Sequence, residues 1–130
     1  MSGPHPGFGA FGKVHAEFLD ALAPEGWTAI PGYKGVEQKI LSGAFDHAAR
    51  TGAVTRLARW SSGAAVGDAL SHDWCEEVYL IQGTLSIGTP QAEVERLQPG
   101  TYAVRPPHIL HGPFFSEDGC LLIEFLYYPP

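Results

Sequence analysis

The sequence predicts an all-β domain, built as a sandwich or barrel of short strands. Sixteen Gly and 11 Pro in 130 residues favour many short strands joined by tight turns over long helices. Segments rich in β-forming residues recur along the chain, and no repeat, low-complexity tract or linker divides it. A chain of this length with 45% hydrophobic residues is typical of one globular domain.

The first 30 residues are predicted to form an extension with one short helix. Residues 1–8 are rich in Gly and Pro and are expected to be extended. Apolar side chains spaced by three and four between residues 11 and 23 predict an amphipathic helix, which the Pro24-Glu-Gly sequence ends. We expect this helix to cover an open end or edge of the sheets, and we place the barrel in residues 31–130.

Six strands are predicted after this extension. Their sequences alternate apolar and polar residues or are rich in β-branched and aromatic ones, and each ends at glycine, serine or proline turns. The predicted segments are 35–41, 52–60, 76–82, 85–87, 102–105 and 120–128.

Charge and composition exclude several classes of partner. A formal net charge of −6 disfavours nucleic acid and anionic membranes, since neither attracts an acidic surface. The sequence has neither a long apolar span nor the basic and apolar regions of a secretory signal. Cys75 and Cys120 are too few for a disulfide framework and are expected to be reduced thiols. These observations together predict a cytoplasmic protein.

Two clusters of residues of the kinds that bind metals are the most informative part of the chain. Histidines and a carboxylate so far apart can meet at one ion only if the intervening strands fold back on each other. The clusters contain His72, Glu76 and Gly83 in the first, and Gly100, Pro106 and His111 in the second.

This spacing resembles the two motifs of the cupin superfamily. The six residues fall at the matching positions of G(x)5HxH(x)3,4E(x)6G and of G(x)5PxG(x)2H(x)3N, in the family's order. The resemblance covers about residues 52–127 and is to small single-domain metal-binding cupins of the ChrR-like or dioxygenase-like kind. It implies a cupin double-stranded β-helix, which is a jelly-roll barrel.

Three departures from the motifs bear on the site. Leu70 stands where the first histidine belongs, His108 where the second motif has glycine, and Phe115 where it has asparagine. The metal ligands that the resemblance carries over are therefore His72, Glu76 and His111. This set is similar to the two-histidine, one-carboxylate arrangement that leaves open positions on Fe(II).

Several neighbouring residues are further candidates, each with a simpler alternative. His108 could be an additional ligand, a proton shuttle or a turn residue that faces solvent. Arg105 could orient a substrate carboxylate or enolate, or be a surface arginine at a strand end. Tyr79 and Tyr102 could line a substrate pocket, or serve in core packing and a dimer contact. Glu77 is expected on the outer face, either solvated or paired with a basic residue.

For function, the resemblance implies a metal-dependent enzyme that acts on a small aromatic or dicarbonyl metabolite, foremost an Fe(II) and O2 dioxygenase. One alternative is an isomerase, cyclase or lyase that uses Zn, Ni or Mn as a Lewis acid. Another is a non-catalytic cupin that binds a small molecule, with or without a metal. Many small cupins pair, so a homodimer is expected. No catalytic base can be named, and the fold alone does not identify the substrate.

Overall fold

Two antiparallel sheets face each other across an apolar core in the computed structural model, which describes residue 5 and residues 7–130. The larger sheet has the strand order β1-β2-β3-β10-β5-β8, and the smaller has the order β4-β9-β6-β7. The prediction of an all-β domain is confirmed. The strands are β1 Trp27–Ala29, β2 Val36–Asp46, β3 Thr51–Trp60, β4 Ala65–Val66, β5 Cys75–Gly83, β6 Leu85–Thr89, β7 Ala92–Leu97, β8 Tyr102–Arg105, β9 Phe114–Phe115 and β10 Cys120–Tyr127.

The core lies between the inner faces of the two sheets. Because side chains alternate along a strand, every second residue of β3, β5 and β10 points inward. Val66 and Leu85 contribute to the core from the smaller sheet. The buried residues from the larger sheet include Val36, Ala58, Trp60, Leu80 and Leu122. A row of apolar side chains on each inner face therefore holds the sheets together.

All six predicted strands are present. Their ends agree with the prediction to within two residues, with one exception. The largest extension is in β2, which continues to Asp46. Four strands were not predicted. Three of these, β1, β4 and β9, have only two or three residues. The fourth, β7, has the sequence AEVERL and is almost entirely exposed, so it lacks a clear apolar face.

The predicted helix over residues 11–23 is wrong. The structure has a short 3-10 helix at Phe8–Phe11, and the chain then runs without a helix to β1. Val14 and Phe18, which were to form the apolar face, are 81% and 102% exposed. Without a surface to bury that face, a short helix does not repay the cost of its first turn.

Lys13 holds this segment against the larger sheet instead. Its ammonium group donates to Ser42 Oγ at 2.7 Å and to Thr55 Oγ1 at 2.8 Å. No helix in the described residues has the length and hydropathy needed to cross a membrane.

The two motif glycines that end β5 and precede β8 differ in what surrounds them. Gly83 has φ +79°, and a Cβ there would collide with the carbonyl oxygen of Gly119. Gly100 has φ +95°, yet a Cβ there would meet no atom within 4 Å. The first glycine is needed for space and backbone conformation, and the second for conformation only.

We therefore expect Gly83→Ala to destabilise the protein more than Gly100→Ala. The conformational penalty of about 1–2 kcal/mol applies to both, whereas the collision with backbone adds to it only at Gly83. Urea denaturation of the two variants measures the difference. Equal losses in the free energy of unfolding would contradict this account of the motif glycine.

Candidate metal centre

His72, Glu76 and His111 meet at one end of the barrel. Each offers one ligand atom, and these three atoms lie within 4.8 Å of one another. Glu76 is in β5, His72 is in the loop before β5, and His111 is in the loop between β8 and β9. The Glu76 side chain is 9% exposed and that of His111 is 12% exposed. Residues far apart in the chain thus form a compact cluster of donors, in which Glu76 and His111 are shielded from water and His72 is partly buried.

Backbone hydrogen bonds hold the two loops together. Leu70 and His111 exchange both backbone N–H···O bonds, each at 2.9 Å. The amide of His108 donates to the carbonyl of His72 at 2.8 Å. The position of His111 beside His72 and Glu76 is therefore set by the main chain.

The β5 strand directs Glu76 into the barrel. Val78 and Leu80, two and four residues further on, continue the same inward face below it. On the neighbouring strand β8, Arg105 is the register partner of Glu76. Its Nη1 lies 3.4 Å from Glu76 Oε2, and the arginine side chain is 19% exposed. Of the two alternatives for Arg105, the structure places it inside, next to the cluster.

The hydrogen bond made by the His111 ring determines which of its two nitrogens is available to bind a metal. Nδ1 lies 3.0 Å from the carbonyl oxygen of Ile109. A carbonyl only accepts, so Nδ1 carries the proton and Nε2 presents a lone pair in the neutral ring. Nε2 faces Glu76 Oε2 at 3.4 Å. A lone pair and a carboxylate oxygen in this arrangement repel unless a cation lies between them, which is the environment that a metal or a proton requires.

The ring of Trp74 fixes that of His72. The two rings are stacked, with centroids 4.7 Å apart and an angle of 4° between their planes. Burial lowers the pKa of His72 below its ordinary value of 6.5, and His111 and Arg56 lower it further. Burial and these neighbours therefore favour the neutral imidazole, which is the form that binds a metal.

A cavity of about 60 Å³ extends from this cluster into the barrel. Its wall is mainly apolar, but it also contains the charged groups of Arg56, Arg105 and Glu124. Glu124 is 8% exposed and accepts a hydrogen bond from Arg56 Nε at 2.7 Å. Burial raises the pKa of Glu124, and the guanidinium of Arg56 opposes that increase. The cavity thus joins a donor cluster to a second, buried charged pair.

Sequence analysis did not identify Arg56 and Glu124, although strand parity contains the information. Arg56 lies between Val54 and Ala58 on the inward face of β3. Glu124 lies between Leu122 and Leu126 on the inward face of β10. A charged residue at an inward position of an apolar strand is unusual, because a buried charge is costly unless it is paired.

His108 lies outside the donor cluster. Its side chain is 66% exposed, and its Nδ1 is 3.7 Å from Asp73 Oδ1. The residue has φ +69°, a conformation that glycine adopts without strain and that explains the glycine of the motif at this position. Of the three alternatives, the structure places His108 as a turn residue that faces solvent.

Tyr79 and Tyr102 lie on the outer face of the larger sheet, away from the cavity. They are cross-strand partners and are 43% and 54% exposed. The physical reason is parity, since Tyr79 is three residues from Glu76 and so points to the opposite face. Their suggested role in substrate binding does not agree with this position. Glu77 shares the outer face, as predicted, but it accepts hydrogen bonds from Tyr102 and Tyr127 and pairs with no basic residue within the described chain.

Comparison with known proteins identifies one family. The model of the ChrR Cupin-like domain matches residues 16–127, which is most of the chain. Comparison with curated protein sequences gives no match.

Solved structures with the same fold have different biochemical roles. An RmlC-like cupin from Shewanella frigidimarina NCIMB 400 has 20% identity and a TM-score of 0.63, over 88% of this chain and 93% of that one. An acetylacetone dioxygenase from Acinetobacter johnsonii has 16% identity and a TM-score of 0.62, over 91% and 81%. At these identities the likeness shows the fold, and it confirms the predicted cupin barrel.

A third structure contains a protein complex. It is that of Rhodobacter sphaeroides SigE with the anti-sigma ChrR, with 23% identity and a TM-score of 0.54 over 76% of this chain. The match spans 46% of that chain, so more than half of its length has no counterpart in the match.

The lowered pKa of His72 predicts a pH dependence of stability in metal-free protein. As pH falls below 6.5, the unfolded chain binds a proton that folded His72 does not. The free energy of unfolding should therefore decrease as pH falls from above 6.5 toward the lower pKa of the folded state. His72→Gln should remove this component, so its urea stability should fall less than that of the wild type between about pH 7.5 and about pH 5.5. Identical pH profiles in the presence of a chelator would contradict the assignment.

Proposed function

Because the chain belongs to the ChrR Cupin-like domain family, we propose that it is a metal-dependent cupin enzyme in which His72, Glu76 and His111 bind one divalent cation. The observation that carries the proposal is their convergence within 4.8 Å. Two imidazoles and one carboxylate suit Fe(II), while Zn, Ni and Mn accept the same donors. The orientation of His111, with Nδ1 on a backbone carbonyl and Nε2 toward Glu76, fits such an ion.

The proposed reaction is oxidative cleavage of a small dicarbonyl compound. The cation, when bound, supplies Lewis-acid polarisation of a carbonyl group and, as Fe(II), redox chemistry with O2. The dioxygenase from Acinetobacter johnsonii, whose fold matches 91% of this chain, supports this choice. We therefore favour the dicarbonyl class over the aromatic one.

Side chains around the cluster would orient the substrate and keep water out. Arg105 lines the cavity beside Glu76 and can donate to a substrate oxygen. Val78 and Leu80 form part of the apolar interior below, where polar interactions are stronger than in water.

Leu70 leaves one side of the site without a ligand. As the bridge partner of His111 it lies directly beside the cluster, and its side chain lines the cavity. A leucine does not coordinate a metal, so the coordination position that the family motif gives to a histidine would remain available to a substrate oxygen.

The proposal includes a homodimer in the cytoplasm. The outer face of the larger sheet supports the dimer, because it exposes several large apolar side chains next to the edge strand β8. These residues are Tyr79, Ile81, Tyr102, Val104 and Phe125. Cys75 and Cys120 form no disulfide with each other, which agrees with a reducing compartment.

Substitution of a ligand should abolish metal binding. We expect His111→Ala to lower the metal affinity by at least roughly 100-fold. Changes in outer-shell partners of a metal site cost up to about this much, and loss of a direct ligand should cost more. His108→Ala is the matched control, since this neighbouring histidine faces solvent and should leave affinity unchanged. Elemental analysis after desalting, with circular dichroism to verify folding, measures both. Equal metal content in folded His111→Ala and wild-type protein would exclude the site.

Oxygen consumption tests the reaction. Fe(II)-loaded protein should consume O2 when acetylacetone is added, and no acetylacetone should be converted under argon. Leu70→His should keep the metal and lose most of this activity, because the added imidazole would occupy the open side of the site. Leu70→Met, which adds no nitrogen ligand, should remain active. Conversion of acetylacetone without oxygen would instead indicate a non-redox lyase.

A further inference from the structure

A charged group that the proposed reaction does not use lies in the wall of the cavity. Arg56 on β3 and Glu124 on β10 are register partners on the inner face of the larger sheet. Arg56 donates from Nε to Glu124 at 2.7 Å and from Nη1 to Gln38 Oε1 at 2.8 Å. The Arg56 side chain is 17% exposed, and both charged residues line the cavity together with Glu76 and His111. A polar network is thus built into an otherwise apolar interior.

Stability alone does not explain this network. Moving two charges out of water costs several kcal/mol per ion in real proteins, and apolar residues of similar volume often stabilise a fold as well or better. The surrounding inward positions of β3 and β10 are apolar, as Val54, Ala58 and Leu122 show. We therefore infer that the network serves to bind a ligand in the cavity.

The guanidinium groups retain donors for a ligand. Arginine has five N–H donors, and in the described residues Arg56 uses Nε and Nη1 for its two bonds, with no bond made by Nη2. Arg105 makes one contact of 3.4 Å, to Glu76. Both side chains face the same cavity, so an acceptor inside it can meet two guanidinium groups.

We propose that Arg56, together with Arg105, forms a carboxylate-binding subsite, and that the substrate is a small keto acid whose carbonyl reaches the His72, Glu76 and His111 cluster. This inference rests on the proposed metal site. With a divalent cation bound, that ion and the two guanidinium groups would carry one positive charge more than the ionised carboxyls of Glu76, Glu124 and Asp68 in the cavity offset. That excess matches one carboxylate, and a planar guanidinium binds a carboxylate better than any neutral acceptor.

The experiment compares acetoacetate with acetylacetone, which has a methyl group in place of one carboxylate oxygen. Calorimetric titration of Zn²⁺-loaded protein avoids turnover of either probe. We expect acetoacetate to bind about 10- to 100-fold more tightly, as a charge-assisted hydrogen bond implies.

The double variant Arg56→Met, Glu124→Leu tests the residues. It removes both charges together and so leaves neither one buried without a partner, and it should melt at or above the wild-type temperature. It should retain Zn²⁺ and lose the preference for acetoacetate. Arg59→Gln is the matched control, because Arg59 lies on the outer side of the same strand, pairs with Glu37 and stacks on Trp27.

The possible outcomes separate the two proposals. If the folded double variant still binds acetoacetate more tightly than acetylacetone, the preference comes from the metal, and the role proposed for Arg56 is overturned. Wild-type protein that retains Zn²⁺ but binds both probes equally would also overturn the subsite, while the metal site would stand. Wild-type protein that retains no Zn²⁺ would refute the proposed function. Acetoacetate and acetylacetone would then be titrated into the metal-free protein, and equal affinities there would overturn the subsite as well.

Discussion

Three backbone hydrogen bonds between the loop before β5 and the loop after β8 hold the candidate site together. Two join Leu70 to His111, and the third joins His108 to His72. Since these bonds use only main-chain atoms, they do not depend on which side chains the loops carry. This explains how the position of the first motif histidine can be a leucine while the remaining donors still converge. The site geometry belongs to the backbone, and the side chains determine what that geometry binds.

The barrel interior compensates its charges in pairs. Arg56 and Glu124 are register partners on adjacent strands, and so are Glu76 and Arg105. Both of these carboxylates therefore have a guanidinium directly across from them, which lowers the cost of burying each pair. If Glu76 binds a cation, its hold on Arg105 weakens and the guanidinium becomes available to a ligand. The ion pair that lowers the cost of burying Glu76 and Arg105 would in this way release the guanidinium of Arg105 for a ligand when a cation binds.

Strand alternation accounts for both the successes and the failures of the sequence-based predictions. The segment 76–82 was predicted correctly as a strand, and Glu76, Val78 and Leu80 alternate in it with outward residues. Tyr79 was considered for a substrate pocket, with core packing or a dimer contact as the alternative, and its parity places it on the outer face. In the segment before β1, a spacing of three and four is typical of a helix, but Val14 and Phe18 remain exposed among the described residues. Spacing is informative only where the tertiary structure provides a partner for the apolar face.

The sequence alone determined the all-β class and six of the strands, because period-two alternation is a local property of a chain. Through its resemblance to the cupin motifs it also pointed to His72, Glu76 and His111, which converge in the structure. Only the tertiary structure decided that Arg105 points inward and His108 outward, and that Arg56 and Glu124 lie beside the donors. These facts depend on which strands become neighbours and in what register. Register is set by the packing of two whole sheets, and no short stretch of sequence contains it.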